Sequence, residues 1–590
     1  MASSGEMNQI AWEYTVESKG DQQYYHVHLK SLDQQDHAFT VYYILPLPQE
    51  DGQKVYFGKS LVNIQEVSDK WDYLDVCPWN VGANGLAAHF PFASANSGSK
   101  GKAVGFDPSC PVFGRVGCNG AVPCIYLAAD LALTADKNEI DLLFNTFEYN
   151  GKYGLRGAME TYYKMFPEFY STRIHDQGNW MAFVSISSLK NHEDFGFKFK
   201  EGHEEPNWDR EHGIYTFRYT EPLTCWFHMS DDPPSCKADA VEYVRKRVNE
   251  QGMKPRVITS SSMHDINGND ILILMDRPWC NNGAVWSINS MPGIPDEYSD
   301  FNWKWNKELQ EKYYTPGTEE EVSGEYIDSS EGYVTADISH RRDHFAYAKL
   351  PLTYSLNSWC PGIFKGSIVY EYTKEMRDFV LPRNKYMMAN GTPGAMWYLP
   401  PLLDVAGTET DWCINGEWTP ITLEELCYRR SACAAKPYCF LMNTNFKYFT
   451  HEMVEKYMKR SGAFGMFPSF FSANAASDHY FTQPDLYERD RPLFKKYMPV
   501  IRRVAEAGWQ PVTLAECSQD KIHMERFGTQ YISVINDDKN QQAEIEIQLD
   551  LPHGDTCTDE YTGNVYTIRD NKVKMLLEPE AVVILNLGAK

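Results

Sequence analysis

Short apolar runs alternate with helical or loop segments from about residue 180 to about residue 470, and this alternation constrains the fold most. Good helices lie between several of the runs, such as ADAVEYVRKRVNEQG, KGSIVYEYTKEMRDFV and HEMVEKYMKRSG. Alternation of this kind predicts a parallel sheet, and eight repeats predict its closure into a (β/α)8 TIM barrel. The eight predicted strands are NWMAFVSI near 180, FGFKFKE at 195, IYTFRYTE at 214, AVWSIN at 284, GEYIDSS at 324, KYMMANG at 385, YCFLMNTN at 438 and AFGMFPSFF at 463. The run ILILMDRPW at 271 keeps the fourth strand open, because it is either that strand or an extra hairpin.

The two ends of the chain have a different rhythm. Period-two alternation, as in YYHVHLKSL and FTVYYILPL, is typical of a β-sandwich, and YGLRGAMETYYKMFPEF at 153–169 predicts a helix leading out of it. After the helix RPLFKKYMPVIRRVAEAG the alternation returns in QYISVIN, AEIEIQLDL and AVVILNL. We therefore predict a multidomain α/β and β fold: an N-terminal β-sandwich with a linker helix over 1–165, a barrel over 166–517 and a small C-terminal β-sandwich over 518–590.

The charge and the aromatic content of the chain limit which classes of partner are expected. The chain has 590 residues, and its 80 acidic against 56 basic residues give a formal charge of −24, which repels phosphate backbones and anionic membrane surfaces. Nucleic acid and membranes are therefore not expected partners. Aromatic residues make up 14% of the chain, with 15 Trp and 37 Tyr, which suits sugar rings but equally suits large cores.

Targeting and redox signals are weak. No run reaches the roughly 18 apolar residues of a membrane span, and no signal peptide is visible at MASSGEMNQIAWEY. The location is therefore open: extracellular or periplasmic if a signal peptide was removed, cytoplasmic otherwise. Fourteen cysteines without a C-x-x-C pair predict mostly buried thiols, with room for one or two disulfides, and the oligomeric state is open.

The stretch GEYIDSSEGY at 324–333 combines a strand end with two carboxylates. In a (β/α)8 barrel the working residues lie at the C-terminal ends of strands and in the loops that follow. Alternation places Tyr326 and Asp328 on one face and Glu325 and Ile327 on the other, so Asp328 points into the barrel mouth if Ile327 packs against helices. Glu331 follows in the loop, where alternation no longer predicts direction.

Further acids and aromatic residues follow other strands. The long segment TPGAMWYLPPLLDVAGTETDW after the next strand carries Trp397, Asp404 and Glu409. Glycoside hydrolysis needs two carboxylates and aromatic platforms for the sugar ring, although surface loops are rich in acids for other reasons. The candidate substrate-binding residues are Trp180, Glu201, Glu221, Trp226, Asp276, Trp279, His344 and Trp397.

The combination of YYKMFPEF, GNWMAFV, YIDSSE, DEYTGNVY and LEPEAVVILNL resembles the multidomain (β/α)8 glycoside hydrolases of polysaccharide-degrading bacteria, without assigning a family. In barrels of the α-glycosidase and α-galactosidase type, the resemblance implies an Asp at a mid-barrel strand end as nucleophile and an acid from a later strand. Asp328 matches the first role and Glu409, or failing it Asp404, the second, with Glu331 as a further candidate acid. The sequence departs from those groups because Asp328 falls on the predicted fifth strand, which leaves retaining and inverting chemistry both open.

The segment HRRDH has the spacing of a metal-binding histidine pair. It places His340 and His344 one helical turn apart, but the Glu of zinc-protease motifs is missing, so neither a metal nor a cofactor is predicted.

We expect a glycoside hydrolase that cleaves an O-glycosidic bond in a complex oligo- or polysaccharide. The alternatives are a non-catalytic glycan-binding protein on a barrel scaffold and a metal-dependent barrel enzyme.

Overall fold

The computed structural model describes the protein over residues 2–48, 50, 52–57, 60–63, 72–229, 233–249 and 252–588. Within these residues, an antiparallel β region, a mixed α/β region and a second antiparallel β region follow one another along the chain. No helix in the described part of the chain is both long and apolar enough to cross a membrane.

The first region consists of strands that pair antiparallel. They are β1 Ala2–Met7, β2 Ile10–Lys19, β3 Gln22–Ser31, β4 His37–Pro46, β5 Lys54–Phe57, β6 Ser60–Asn63, β7 Tyr73–Leu74, β8 Val76–Pro78, β9 Leu86–Ala88, β10 Phe92–Ser97, β11 Lys100–Phe106, β12 Gly114–Asn119, β13 Cys124–Leu133 and β14 Glu139–Asn150. One sheet has the order β1-β2-β3-β14-β11-β10-β5-β6, a second has the order β4-β13-β12-β7, and β8 pairs with β9. Side chains of both larger sheets, such as Phe106 and Phe144 from the first and Leu127 and Leu131 from the second, share one buried cluster.

The helix expected after this region is present in two pieces, α1 Gly154–Met165 and α2 Pro167–Tyr170. The break falls at Phe166, whose φ of −127° and ψ of 58° are not helical. A residue before proline is pushed out of the helical conformation by the proline ring, so Pro167 ends α1 and starts α2. Arg156 of α1 donates to Pro511 and Glu525 and so joins this helix to the end of the chain.

The central region contains sixteen strands within the described residues. They are β15 Asn179–Ala182, β16 Phe197–Glu201, β17 Tyr215–Thr220, β18 Thr224–Phe227, β19 Leu272–Arg277, β20 Cys280–Ser287, β21 Gly324–Ile327, β22 Ile338–Ser339, β23 Thr353–Tyr354, β24 Pro361–Phe364, β25 Tyr386–Asn390, β26 Val405–Thr410, β27 Cys413–Ile414, β28 Glu417–Trp418, β29 Tyr438–Met442 and β30 Phe467–Phe470.

Eight of these strands form a parallel barrel, which confirms that part of the prediction. The order is β15-β16-β17-β21-β25-β26-β29-β30, and every neighbouring pair is parallel. The eighth strand returns to the first, where the backbone N–H of Trp180 donates to Ser469 Oγ over 2.8 Å. The result is a nearly closed TIM-type barrel.

One of the eight predicted strands is wrong, and one barrel strand was not predicted. AVWSIN belongs to β20, which pairs antiparallel with β18 and β19 in a three-stranded sheet outside the barrel, so ILILMDRPW is the hairpin alternative. The barrel strand that the sequence reasoning missed is β26, which lies within the segment treated as a long loop. Asp328 therefore follows the fourth barrel strand rather than the fifth.

The missed strand has small residues for a packing reason. A Cβ added to Gly407 would lie 3.0 Å from Cζ3 of Trp180, so this strand must leave room for the indole inside the barrel. The sequence VAGTET is small and polar, so it lacks the composition of a buried strand. It can still be buried because its neighbours supply the apolar volume.

The helices of the central region are α3 Pro206–Glu211, α4 Lys237–Arg247, α5 Met253–Ser261, α6 Asp300–Lys304, α7 Lys307–Tyr314, α8 Lys365–Val380, α9 Leu423–Cys433, α10 His451–Gly462 and α11 Pro484–Ala507. Short 3-10 helices occupy Gly151–Tyr153, Ile186–Ser188, His192–Phe195, Arg342–Tyr347, Leu381–Arg383, Pro400–Leu402 and Tyr480–Thr482. The predicted helices ADAVEYVRKRVNEQG, KGSIVYEYTKEMRDFV, HEMVEKYMKRSG and RPLFKKYMPVIRRVAEAG correspond to α4, α8, α10 and α11.

The outward faces of β17 and β21 carry a buried ion pair. Arg218 donates to both carboxylate oxygens of Glu325 over 2.9 and 2.7 Å, and the hydroxyl of Tyr314 on α7 donates to the same carboxylate. Glu325 is thus directed at the helices, on the opposite side of β21 from Tyr326, as alternation requires.

The third region consists of β31 Trp509–Gln510, β32 Ala515–Glu516, β33 Ile522–Phe527, β34 Tyr531–Asn536, β35 Ala543–Leu549, β36 Thr556–Asp559, β37 Val565–Arg569, β38 Lys572–Leu577 and β39 Val582–Asn586. They are bonded in the order β31-β33-β34-β39-β36-β37-β38-β35-β32 around a core of their own. The strands β31 and β32 come before residue 518, so this sheet begins earlier in the chain than the predicted domain. All fourteen cysteines are free thiols.

Candidate active site

A cavity of about 770 Å³ opens at the C-terminal ends of the barrel strands. Its wall combines four carboxylates, aromatic rings and side-chain amides. The lining residues include Phe183, Glu201, Tyr219, Glu221, Trp226, Trp279, Tyr326, Asp328, Tyr333, Asn390, Glu409, Asn443, Phe471 and Asn474.

Asp328 lies directly after β21, and its backbone N–H still bonds to Thr220 of the neighbouring strand over 2.8 Å. Its carboxylate points into the cavity, on the side of the strand that alternation assigns to it. Oδ2 accepts from the hydroxyls of Tyr219 at 3.0 Å and Ser329 at 3.1 Å. Oδ1 accepts from Asn390 at 2.9 Å and from the hydroxyl of Tyr326 at 3.4 Å. These four donors hold the carboxylate in one orientation.

Glu409 lies near the end of β26 and shares a donor with Asp328. The side-chain amide of Asn390 donates to Glu409 Oε1 over 2.8 Å as well as to Asp328 Oδ1. The amide of Asn443, which follows β29, donates to the other oxygen of Glu409. The strands β21, β25, β26 and β29 are consecutive in the barrel, so their ends bring the two acids and the two amides together.

Burial raises the pKa of three of the four acids in the cavity. Burial, and then the charge of Asp328, raises the pKa of Glu409, while the hydrogen bond from Asn390 opposes the shift. Burial raises the pKa of Glu221 to about 7, with a further contribution from Asp328. Burial also raises the pKa of Glu201 well above its usual range. Three acids with raised pKa values therefore surround Asp328, which has hydrogen-bond donors of its own.

Aromatic rings form two walls of the cavity. Trp226 on β18 packs edge-on against Trp279 of the β19–β20 turn, with ring centroids 5.6 Å apart, and stacks on Tyr333 at 6.1 Å. Trp279 is 47% exposed and Tyr333 is 40% exposed, which leaves open ring surface at the rim. On another side, Phe183 and Phe471 lie 5.7 Å apart.

Two candidate acids lie outside the cavity. The carboxylate of Glu331 accepts backbone N–H groups of Gly394, Ala395 and Met396 over 2.7, 2.5 and 3.1 Å, so it fixes the loop after β25. Asp404 precedes β26 and therefore lies at the opposite, N-terminal end of the strand that carries Glu409. It pairs with Arg173 at 3.1 Å and accepts from the N–H of Met387 at 2.8 Å. Both placements assign these acids to internal bonding rather than to the cavity.

The candidate substrate-binding residues divide in the same way. Glu201, Glu221, Trp226 and Trp279 line the cavity. Trp180 is fully buried inside the barrel and packs on Tyr326.

Three further candidates lie away from the cavity. Trp397 is 4% exposed and stacks on Phe106 of the first β region, so it is a core residue. Asp276 accepts from the N–H of Asn282 and stabilises the β19–β20 turn. His344 is buried between Asn289 and the carbonyl of Ser260, and its burial lowers its pKa to about 4.

The sequence reasoning missed the groups that orient the acids. Tyr219, Asn390 and Asn443 each lie at or directly after the C-terminal end of a barrel strand. Position at a strand end was the available signal, since Asn390 ends KYMMAN and Asn443 follows YCFLM. Attention to carboxylates alone left these neutral hydrogen-bond donors out.

Comparison with known proteins gives structural neighbours only. No protein-family model matches the chain, and no curated protein matches it. The α-N-acetylgalactosaminidase NagBb of Bifidobacterium bifidum, solved with GalNAc, is 9% identical at a TM-score of 0.46, over 91% of this chain and 89% of that one. An α-amylase of Anoxybacillus is 10% identical at a TM-score of 0.34, over 74% of this chain and 90% of that one. An α-amylase of Geobacillus thermoleovorans, solved with acarbose, is 8% identical at a TM-score of 0.35, over 74% and 92%.

These solved structures are glycoside hydrolases, so the resemblance stated from the sequence is confirmed as a resemblance. No family is assigned. Overall shape does not fix an activity, which depends on the residues of the site.

Proposed function

We propose that the protein is a glycoside hydrolase that cleaves an O-glycosidic bond of an oligo- or polysaccharide, with Asp328 and Glu409 as its catalytic pair. The observation that carries this proposal is the amide of Asn390, which donates to both carboxylates at the mouth of the barrel. An acid with a raised pKa beside a hydrogen-bonded carboxylate is the arrangement that glycosidic bond cleavage requires.

The two acids take different roles because their surroundings differ. Asp328 accepts hydrogen bonds from Tyr219, Ser329 and Asn390, which fix the direction of its carboxylate. Glu409 has a raised pKa because it is buried beside Asp328, so it holds a proton at a higher pH than a free glutamate. Asp328 is the nucleophile and Glu409 is the general acid.

The spacing of the acids favours retention of configuration. Asp328 Oδ1 and Glu409 Oε1 lie 2.9 and 2.8 Å from the same nitrogen, so they are separated by no more than the sum of these distances. Retaining enzymes place their carboxyl groups about 5 to 5.5 Å apart, whereas inverting enzymes leave about 6.5 to 9.5 Å for a water molecule. This limit on the two facing oxygens lies nearer to the retaining spacing than to the inverting one.

The reaction then has two steps. In the first, an oxygen of Asp328 bonds to the anomeric carbon while the glycosidic C–O bond breaks, and Glu409 gives its proton to the leaving oxygen. In the second, Glu409 takes a proton from water, the water oxygen bonds to the anomeric carbon, and the bond to Asp328 breaks. The aromatic walls at Trp279 and Phe183 offer apolar surface for the C–H faces of sugar rings.

The metal-dependent enzyme and the non-catalytic glycan-binding protein each require different features of the cavity. A metal-dependent enzyme needs metal ligands that converge in the cavity. Among the described residues, the one group of three converging ligand atoms lies outside it. A glycan-binding protein without catalysis needs the walls of the cavity but not an acid with a raised pKa beside a hydrogen-bonded acid. The ionisation of Glu409 therefore favours catalysis over binding alone.

The test is a screen of plant, host and microbial glycans and of aryl glycosides, with the product anomer followed by NMR. We expect the first product to keep the configuration of the substrate. Asp328→Asn and Glu409→Gln should each lower kcat by about 10³-fold or more on natural linkages. Asp276→Asn, an acid-to-amide control at the exposed end of β19, should leave turnover unchanged.

A nucleophilic anion separates the two roles. With added azide, Asp328→Gly should form a glycosyl azide of inverted configuration, because azide replaces the missing carboxylate. Glu409→Ala should form a glycosyl azide of retained configuration, since azide replaces water in the second step. Unchanged turnover in both amide variants would refute the assignment, and tight binding without release of reducing ends would favour the non-catalytic alternative.

A further inference from the structure

Three regions of the chain meet at a cluster far from the barrel mouth. Cys427 on α9 approaches two residues of β33, with its Sγ 3.4 Å from His523 Nε2 and 4.0 Å from Glu525 Oε1. His523 Nε2 lies 2.7 Å from the same Glu525 oxygen. Thiol, imidazole and carboxylate ligand atoms thus all lie within 4.8 Å of one another.

The surrounding residues hold the cluster in place. His523 and Glu525 are two residues apart on one strand, so their side chains leave the same face of β33. Arg156 donates to both oxygens of Glu525 over 2.8 and 3.0 Å, and the indole N–H of Trp509 donates to one of them over 2.7 Å. Outer bonds of this kind orient a metal-binding carboxylate in known sites.

We propose that Cys427, His523 and Glu525 form a binding site for a divalent transition metal of zinc-like chemistry. One thiolate, one imidazole and one carboxylate is a donor set that suits zinc and cobalt and does not suit magnesium or calcium, which prefer oxygen ligands. This inference does not depend on the proposed glycosidase activity.

The distances require only a small adjustment. Bonds of about 2.0 to 2.3 Å in a tetrahedral site place ligand atoms roughly 3.2 to 3.7 Å apart. The sulfur to nitrogen distance of 3.4 Å already falls in this range. The nitrogen to oxygen distance must open by about half an ångström and the sulfur to oxygen distance must close by a few tenths, which rotation of Cys427 and Glu525 provides.

Arg156 lies beside the cluster and donates to both oxygens of Glu525 over 2.8 and 3.0 Å. It is therefore a partner of that carboxylate and not one of the three ligands. A small cavity lined by Cys427, Glu525 and Tyr428 adjoins the cluster and admits a water molecule as fourth ligand.

A metal ion at this site would link a barrel helix to the last β-sheet. Cys427 belongs to a barrel helix and His523 and Glu525 to the last sheet, while Arg156 extends the contact to α1. A metal held here stabilises their docking by mass action, because unfolding separates the ligands. Its role is structural, since the cavity with Asp328 and Glu409 is elsewhere.

The first test is titration of the chelator-treated full chain with Co²⁺ alone. We expect one ion per chain with a thiolate-to-cobalt charge-transfer band, displaced by Zn²⁺. Cys427→Ser and His523→Asn should remove the band, whereas Cys517→Ser, a thiol of the same sheet region outside the cluster, should keep it. A band that survives Cys427→Ser, or cobalt binding without any thiolate band, would overturn the proposal.

The second test needs no variant, so a folding defect cannot obscure it. Zn²⁺ at about 100 times its Kd should raise the Tm of the wild type by several degrees. Mass spectrometry should show that Zn²⁺ slows alkylation of Cys427 by iodoacetamide at least about tenfold and leaves Cys517 unaffected. Equal alkylation of Cys427 with and without Zn²⁺ would overturn the proposal and identify a free reactive thiol instead.

Discussion

Asp328 and Glu409 are hydrogen-bonded to the same nitrogen, the side-chain amide of Asn390, at 2.9 and 2.8 Å. A single donor thus links the two acids. The geometry of the proposed catalytic pair therefore depends on a residue to which the proposal gives no part in proton transfer.

We predict that Asn390→Ala lowers kcat about 10²- to 10³-fold, the effect of losing one preorganised donor in a catalytic site, while KM changes little. Steady-state kinetics on the best substrate of the screen measure this. Asn474→Ala, an amide at the rim of the same cavity, serves as the control and should alter KM rather than kcat. Equal kcat in Asn390→Ala and the wild type would show that the shared amide has no positioning role.

The alkaline limb of the pH profile should belong to Glu409. The acid must be protonated to act, so kcat/KM falls as pH rises through the pKa of Glu409, which burial and Asp328 raise. Asn390→Ala removes the hydrogen bond that opposes this shift, and we expect the limb of its residual activity to move to higher pH. A stopped assay over a range of pH values measures both profiles.

Glu221 is the control for this assignment, because burial raises its pKa to about 7 as well. Glu221→Gln should keep an alkaline limb if Glu409 is the acid. Loss of the limb in Glu221→Gln would transfer the role of general acid to Glu221.

Two tryptophans should respond in opposite ways to truncation. Trp279 is 47% exposed at the rim, so Trp279→Ala should raise KM about three- to tenfold, the equivalent of roughly 0.7 to 1.4 kcal/mol, with kcat nearly unchanged. Trp397 is 4% exposed, so Trp397→Ala should lower the free energy of unfolding by about 3 to 5 kcal/mol and leave KM unchanged. Kinetics and chemical denaturation on both variants separate the roles, and a KM effect in Trp397→Ala would contradict them.

Removing only one partner of the buried ion pair between Arg218 and Glu325 should lower the free energy of unfolding more than removing both. Arg218→Met leaves Glu325 buried without its guanidinium, and we predict a loss of about 3 to 5 kcal/mol in unfolding free energy. The double variant Arg218→Met with Glu325→Leu should be more stable than Arg218→Met, because no buried charge is left unpaired.

Urea denaturation followed by tryptophan fluorescence measures the transition of the barrel region. Lys374→Met is the control, since Lys374 and Asp378 are a partly exposed pair on α8, and its loss should cost less than about 1 kcal/mol. A double variant less stable than Arg218→Met would argue against an unpaired charge as the cause.

Local patterns predicted local features well. Alternation along GEYIDSS gave the direction of Asp328, and helical spacing located α8 and α10, because these properties depend on neighbouring residues. The count of eight barrel strands was correct, but their assignment failed at one strand, because a strand in the inserted sheet and a barrel strand can have the same composition. AVWSIN is apolar but lies outside the barrel, while VAGTET is small and polar yet lies inside it beside Trp180.

The acids show the same limit. Glu409 was identified through a resemblance and not from a strand, since β26 was not recognised. Asp404 shares that strand but lies at its other end, and only the strand boundaries separate a cavity residue from one paired with Arg173. Asn390 was missed because its value depends on where Asp328 and Glu409 lie in space, which no single segment records.

The inserted three-stranded sheet leaves the barrel and returns at nearly the same point. Thr224 on β18 is paired with Ser287 on β20, and the N–H of Ile288 bonds back to Leu223 over 2.7 Å. An element whose two ends are closed against each other can change in length or sequence without moving β17 or β21. The cavity wall that carries Trp226 and Trp279 can therefore vary without displacing Asp328 and Glu409, so under the proposed function a change in this inserted sheet alone would alter which sugars fit the cavity.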